Sequence, residues 1–583
     1  MQRVAGGESV GIAADVRIRR STVQRLLDDP LLAVVRILVA AAVVLLAVPV
    51  ITLVGSSLGG AESAPTLENF VAILTHPLFA PTLRNTLTLG IGTVIVMLLC
   101  AVPMAWLFTR TDLPRKDLLL ALITVNIAIP SFLVAMGYIF LFNPSNGLAN
   151  QVARLLFSLT ASPFNIYDIG WMIALQGIAL SAPAFFMIVP TFQGIDAALE
   201  EAASVSGVRR GVTAVRIVLP LAAPALLAAS AYYFIIAIET FDYASMLGMP
   251  VRLFVASTWL YQLVNPGSGL PQYGEAAALG VMTAAASLLF SALYLWSLRK
   301  AARYAVVTGK RRAQRAVPLG RFERRLAWSF IALYSVFAMA LPLLMLVWAS
   351  GLAFMQPPSL QAFARWNLDA YREAWAQLPL LVTNNLVIML TVPTISVALA
   401  ACTAWISTRS RANLRRSLDL FVMMAIAVPS IVSALGFLYF GLAIYRVLPI
   451  YSTIWLIVIA MSTRYLTWSN RTISSAMLQV HPEIEEACAT SGVRRGHTFM
   501  SVTLPTVGSA LLFSWFWLAL LSLRELTIPV MLARPNTAVL ATAIWGLNSA
   551  GNADVAAALS VILVGIILVM VFVFHRVAGR WAL

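Results

Sequence analysis

The sequence predicts an all-α polytopic membrane protein of about twelve transmembrane helices, arranged as two parallel six-helix repeats. Three observations carry the helical reading. Of 583 residues, 60% are hydrophobic and 11% charged, far more apolar than a soluble chain of this length. The apolar excess falls in windows of about 20 residues, the length a helix needs to cross a hydrocarbon core. Short motifs also recur in the same order in the two halves of the chain.

Segments such as 31–54 and 555–573 are apolar on every face, whereas strands of a transmembrane barrel would alternate. Spans are expected near 31–54, 87–108, 118–142, 169–189, 221–243 and 276–298, and again near 326–350, 386–406, 420–444, 453–467, 507–526 and 555–574. The first thirty residues are polar and Arg-rich, and the apolar run after them is longer than a signal-peptide core, so 31–54 reads as a retained first helix. The plan is a cytoplasmic arm (1–30), a first half (31–298), a basic cytoplasmic linker (299–325) and a second half (326–583).

The formal net charge is +16, and its placement follows the membrane. Basic residues gather in the arm (Arg17, Arg19, Arg20, Arg25) and at 110–116, 209–216, 299–325, 409–416 and 576–580, while 55–82 and 143–168 carry few. Positive loops mark the cytoplasmic side, which puts both termini in the cytoplasm and gives an even helix count. No basic stretch is interleaved with aromatics in a folded module, so the charge is matched to membrane lipid and not to nucleic acid. Cys100, Cys402 and Cys488 are far apart, and His76, His481, His497 and His575 include no helical pair. Neither set predicts a metal site, a redox pair or a catalytic centre.

Three blocks repeat. Ala105-Trp106-Leu107-Phe108-Thr109-Arg110 matches Ala404-Trp405-Ile406-Ser407-Thr408-Arg409, both at a cytoplasmic helix end. Ala128-Ile129-Pro130-Ser131 with Ala135-Met136-Gly137 matches Ala427-Val428-Pro429-Ser430 with Ala434-Leu435-Gly436. Glu201-Ala202-Ala203, Gly207 and Leu219-Pro220 match Glu486-Ala487-Cys488, Gly492 and Leu504-Pro505. An even number of helices per half makes the repeat parallel, about an axis along the membrane normal.

The third block lies between the fourth and fifth helices of each half and is too polar to be a span. Small residues after the Glu let a short helix approach a partner backbone, Gly supplies the φ > 0 turn that ends it, and Leu-Pro is expected to start the next membrane helix. This spacing resembles the Glu-Ala-Ala cytoplasmic loop of permease subunits in ATP-binding-cassette importers that depend on a binding protein. The resemblance spans about 31–574 and is nearest to the fused permeases of ferric-iron uptake, with thiamine, phosphonate and polyamine importers as related alternatives.

That resemblance implies the type I importer permease fold, and a coupling role for Glu201, Ala202, Ala203, Gly207, Leu219 and Pro220, and for Glu486, Ala487, Cys488, Gly492, Leu504 and Pro505. Cys488 stands opposite Ala203, and Val502 opposite Ile217, both near-isosteric departures. It also implies two copies of a nucleotide-binding ATPase subunit, which bind the ATP and Mg, and an extracytoplasmic substrate-binding protein. The chain has no phosphate-binding loop of its own: Gly309-Lys310 is followed by Arg311 and lacks the upstream Gly.

Ionisable residues inside spans are costly and point to a pathway. Glu239 and Asp242 lie at i and i+3, and Arg524 with Glu525 occupies the equivalent place in the second half. They read either as a net acidic lining suited to a cation such as ferric iron, or as mutually neutralised caps at the interface. Asn126, Pro130, Asn385 and Pro429 are further candidates to break or line helices facing the same cavity. A twelve-helix secondary transporter would instead need charge relays in its spans and no docking loops, and a membrane enzyme would need a catalytic cluster at membrane depth.

Overall fold

The computed structural model describes residues 29–59, 64–208, 210–301, 317–409, 415–419, 421–422 and 428–581. Nearly all of the expected arm, and linker residues 302–316, lie outside the described residues. Regular structure among those described is helical, apart from one isolated bridge between Thr111 and Val317.

In the first half, α1 (Pro30–Ser57) is followed by α2 (Phe79–Arg110), α3 (Lys116–Ala128), α4 (Ser131–Phe142) and α5 (Ile169–Gly194). Then come the short α6 (Ala197–Val205) and the spans α7 (Gly211–Glu239) and α8 (Tyr273–Ala301). The second half contains α9 (Arg321–Ala349), α10 (Asp369–Arg409), α11 (Ser430–Ala443) and α12 (Ile454–Met477). It ends with the short α13 (Glu483–Thr490), α14 (Arg495–Thr506), α15 (Gly508–Leu523) and α16 (Ala553–Trp581).

Eight helices among the described residues are long and apolar enough to span a membrane, and two bent pairs bring the number to ten. The two remaining expected spans fall on α12, which is diluted by Arg464, Asn470 and Arg471, and on 420–444. Of that last stretch, 423–427 lies outside the described residues, and α11 is a shorter apolar helix.

Two expectations are corrected. The span at 118–142 is not one helix: α3 and α4 meet at 90°. Pro130 supplies no N–H and pushes Ile129 out of the helical region, to φ −75° and ψ 128°. Leu-Pro, moreover, does not open the next membrane helix. In the first half helix runs from Gly211 through a π-turn at Ala214–Val218 into Leu219, and in the second an equivalent π-turn at Phe499–Thr503 precedes Leu504, with a 73° bend between α14 and α15. Pro is tolerated there because each π-turn already displaces the backbone hydrogen bond that Pro cannot make.

The first helix of each half packs on the other half. Helix α1 lies against α11, and α9 against α4. Glycine permits both crossings: a Cβ on Gly137 would come within 2.7 Å of Pro342 Cα, and one on Gly436 within 2.6 Å of Pro49 Cα. Small residues let helix backbones approach in this way where lipid offers no hydrophobic drive. Thr52 donates its hydroxyl to the Gly436 carbonyl at 2.7 Å and Tyr138 to the Phe337 carbonyl at 2.6 Å, so each crossing carries a hydrogen bond as well.

Candidate functional site

The Glu-Ala loops have the same local geometry in both halves. Helix α6 ends at a left-handed Gly207 (φ 74°) and α13 at Gly492 (φ 78°). The amide of Val208 donates to the Ala203 carbonyl at 3.0 Å, and that of Val493 to the Cys488 carbonyl at 2.9 Å. This is the bond that closes a helix on a glycine. Glu486 and Ala487 are exposed, Cys488 is half-buried, Ala202 is exposed and Ala203 buried. Glu201 lies on α6, and its side chain is outside the described residues. Val205 (90%) and Leu199 (45%) are exposed on α6 and Ile484 (43%) on α13, so each short helix presents apolar surface beside its glutamates. Leu219 and Pro220, like Leu504 and Pro505, continue the chain into the membrane-length helices.

Behind each loop sits an arginine from the first repeated block. Arg110 ends α2 with its Nη1 3.1 Å from Glu200 Oε1, an ion pair without hydrogen-bond alignment, and donates from Nη2 to the carbonyls of Phe192 and, at 2.7 Å, Ile195. Arg409 ends α10 with its Nε 3.0 Å from Glu485 Oε1, and donates to the carbonyls of Val480 at 3.1 Å and Met477 at 3.5 Å.

At the far end of α7, a cavity of about 390 Å³ opens between the halves. All four expected pathway residues line it: Glu239, Asp242, Arg524 and Glu525. Arg464 joins them from α12, with Ser131 and Ser430 from the first turns of α4 and α11. Arg464 Nη2 meets Glu239 Oε2 at 2.9 Å, and its Nη1 donates to the Val428 carbonyl at 2.7 Å. Arg524 donates to the Ile127 carbonyl, and Glu525 accepts from the Tyr465 hydroxyl at 2.9 Å. The two arginines thereby satisfy carbonyls freed where α3 ends and where the chain breaks before α11. Three carboxyl groups and two guanidiniums therefore share the lining.

Residues 98–303 and 396–582 match the family of the binding-protein-dependent transport system inner membrane component. The chain belongs to that family. It is a permease subunit of an ATP-binding-cassette importer, a multi-pass membrane protein carrying the family unit twice. A probable ABC transporter permease of Pyrococcus horikoshii is 28% identical over 39% of this chain and 76% of its own length. A putative 2-aminoethylphosphonate transport system permease of Salmonella typhi is 25% identical over 34% of this chain and 69% of its own. A Fe(3+)-transport system permease of Haemophilus influenzae is 29% identical over 24% of this chain and 28% of its own.

Within this permease, Asn126 and Asn385 do not line the cavity. Asn126 donates to the Tyr334 hydroxyl at 2.8 Å, and Asn385 to the Leu381 carbonyl of its own helix at 2.7 Å. Arg464 was absent from the sequence candidates, because the Ser, Thr and Asn around it and Arg471 seven positions on blur the edge of its span. Arg110 and Arg409 were legible only as markers of a cytoplasmic helix end, because their partners lie 90 and 76 positions away along the chain. Among the described residues no group of His, Cys, Asp and Glu could hold a metal ion.

Proposed function

We propose that this chain forms the whole transmembrane path of its importer, and that its Glu-Ala loops each dock one copy of a separate ATPase subunit that binds ATP and Mg. The observation that carries the reading is the doubling. Two exposed short helices end on the same glycine turn and stand on the same arginine at equivalent positions of the repeat. Glu201, Ala202, Ala203 and Gly207 are the contact residues on one side, and Glu486, Ala487, Cys488 and Gly492 on the other. The boundaries at 30, 298 and 325, with both termini in the cytoplasm of a bacterial inner-membrane protein, belong to the same proposal.

Cargo arrives from an extracytoplasmic binding protein and passes between the halves at Glu239, Asp242, Arg524 and Glu525. ATP binding draws the two ATPases together, and the loops rock the halves between outward and inward states. The excess of carboxyl groups over guanidiniums in the lining supports a cationic cargo, for which we propose ferric iron. Arg464 and Arg524 support a second reading, an aminoethylphosphonate, whose amine and phosphonate would suit a lining of both signs.

The test is ATPase turnover of the reconstituted complex, wild type against Glu201→Ala with Glu486→Ala, with binding protein loaded with iron or with 2-aminoethylphosphonate. Stimulation by the iron-loaded protein that the double variant loses is the expected result. Stimulation by the phosphonate alone overturns the iron assignment, and an unaffected double variant overturns the docking assignment.

A further inference from the structure

The strongest geometry that this reading leaves unused is the arginine behind each loop. Arg110 is 4% exposed, and its charge meets three groups: the Glu200 carboxylate in the first turn of α6 and the carbonyls of Phe192 and Ile195 at the end of α5. Asp196, which caps α6 by accepting the Ala198 amide at 3.0 Å, adds a second negative charge nearby.

In the second half Arg409 repeats the pattern on Glu485, Met477 and Val480. Arg110 and Arg409 differ by 299 positions, and each of the three partner pairs (192 and 477, 195 and 480, 200 and 485) differs by 285. Four groups therefore keep their mutual placement through two different sequences.

The chemistry explains why the residue is Arg. The last carbonyls of a helix have no partner within it and carry partial negative charge. A guanidinium can donate to two of them while another edge faces a carboxylate, whereas an ammonium is a point charge without that fork. One side chain thus ties the end of α2 to the end of α5 and to the root of α6, and its counterpart ties α10 to α12 and α13. The paired membrane helices pack along their lengths, α2 on α5 and α10 on α12, so a displacement fed into the root of a loop is shared by a rigid pair. The second latch has one more bond, from the Thr503 hydroxyl to Glu485 at 3.0 Å, where the first half has Val218.

We propose that Arg110 and Arg409, with Glu200 and Glu485, are the positioning residues that make each loop move with its helix pair, so that a pull on the loop moves the pathway and not a hinge at the loop's root. This rests on the loops being the ATPase docking sites, and the two ideas fail differently.

The experiment uses the complete complex in proteoliposomes with loaded binding protein. It compares wild type, Glu485→Gln, Arg409→Gln, the pair together, and the exchange Arg409→Glu with Glu485→Arg. Copurification of the ATPase reports docking, and cargo moved per ATP hydrolysed reports coupling. Loss of a charged hydrogen bond predicts a fall in cargo per ATP of about tenfold for either single variant. The pair should be no worse than the worse single variant, because both residues act through one contact. Glu485→Gln leaves Arg409 on its two carbonyls, so it remains informative if the Arg variants fold poorly.

Unchanged cargo per ATP in Glu485→Gln, or independent losses that multiply in the pair, overturns the proposal. Failure of the wild-type chain to retain any ATPase overturns the docking reading instead. Partial recovery in the exchange variant supports the ion pair itself as the acting contact.

Discussion

Glu239, the last residue of α7, meets Arg464 in the middle of α12 at 2.9 Å, and the two belong to opposite halves of the chain. Their side chains are 6% and 18% exposed, so the pair is a buried strut across the cavity. Removing one member of such a pair leaves a charge without compensation, at a cost of about 3–5 kcal/mol, while replacing both is far milder. Glu239→Ala and Arg464→Ala are each expected to lower the thermal midpoint of the detergent-solubilised chain sharply, and Glu239→Gln with Arg464→Met to recover most of it. Equal losses in the single and double variants would refute the strut.

The crossings of α1 and α9 set a second expectation. A side chain on Gly137 or Gly436 would collide with the Pro342 or Pro49 backbone, which cannot swing away as a flexible side chain could. Overpacking of this kind costs about 1–3 kcal/mol. Gly137→Val and Gly436→Val should each destabilise the chain, whereas Gly565→Val, where nothing stands within 4 Å, should not. Thermal unfolding followed by tryptophan fluorescence measures all three.

At the loop glycines the cost is conformational alone, since nothing stands within 4 Å of a Cβ on Gly207 or Gly492. A left-handed residue other than Gly or Asn costs about 1–2 kcal/mol. Gly492→Val should therefore impair stimulated ATPase turnover more than Gly492→Asn does, with ATPase copurification as the companion measurement. The reverse order would show that the side chain at 492 acts by contact.

Beside the bridge between Thr111 and Val317, the Leu319 amide and the Arg324 guanidinium hold the Asp112 carboxyl below the usual aspartate range. A lowered pKa means the contact is fully present above the ordinary value of about 3.9 and is lost as pH falls through the lowered one. Proteolysis near residue 317 should accordingly be flat between pH 5 and 8 in the wild type and faster throughout in Asp112→Ala. A wild-type rate that changed between pH 6 and 7 would rule out Asp112 as the group responsible.

The Glu-Ala turns were legible because their information is local: a Glu, small residues and a Gly within seven positions dictate a short helix and its stop. The lining of the cavity was half legible. Glu239, Asp242, Arg524 and Glu525 stand out as charges near apolar spans, but Arg464 sits in a stretch whose Ser, Thr and Asn blur the edge of the span. Asn126 and Asn385 show the opposite error, since a polar residue in a span can be satisfied inside the packing, as by Tyr334, without facing a cavity.

By itself the sequence determined that this is a helical membrane protein made of two parallel repeats, each with an exposed loop closed by a left-handed glycine. Those features depend on composition, on the length of apolar runs and on residues within a turn of one another. Only the tertiary structure decided that the first helix of each half lies on the other half, that Pro130 turns the chain through 90°, and that Arg464 crosses to Glu239. The repeated sequence is equally consistent with exchanged and unexchanged first helices. Close approach at Gly137 and Gly436, and partners for buried charges more than 200 positions apart, arise only when the helices have packed.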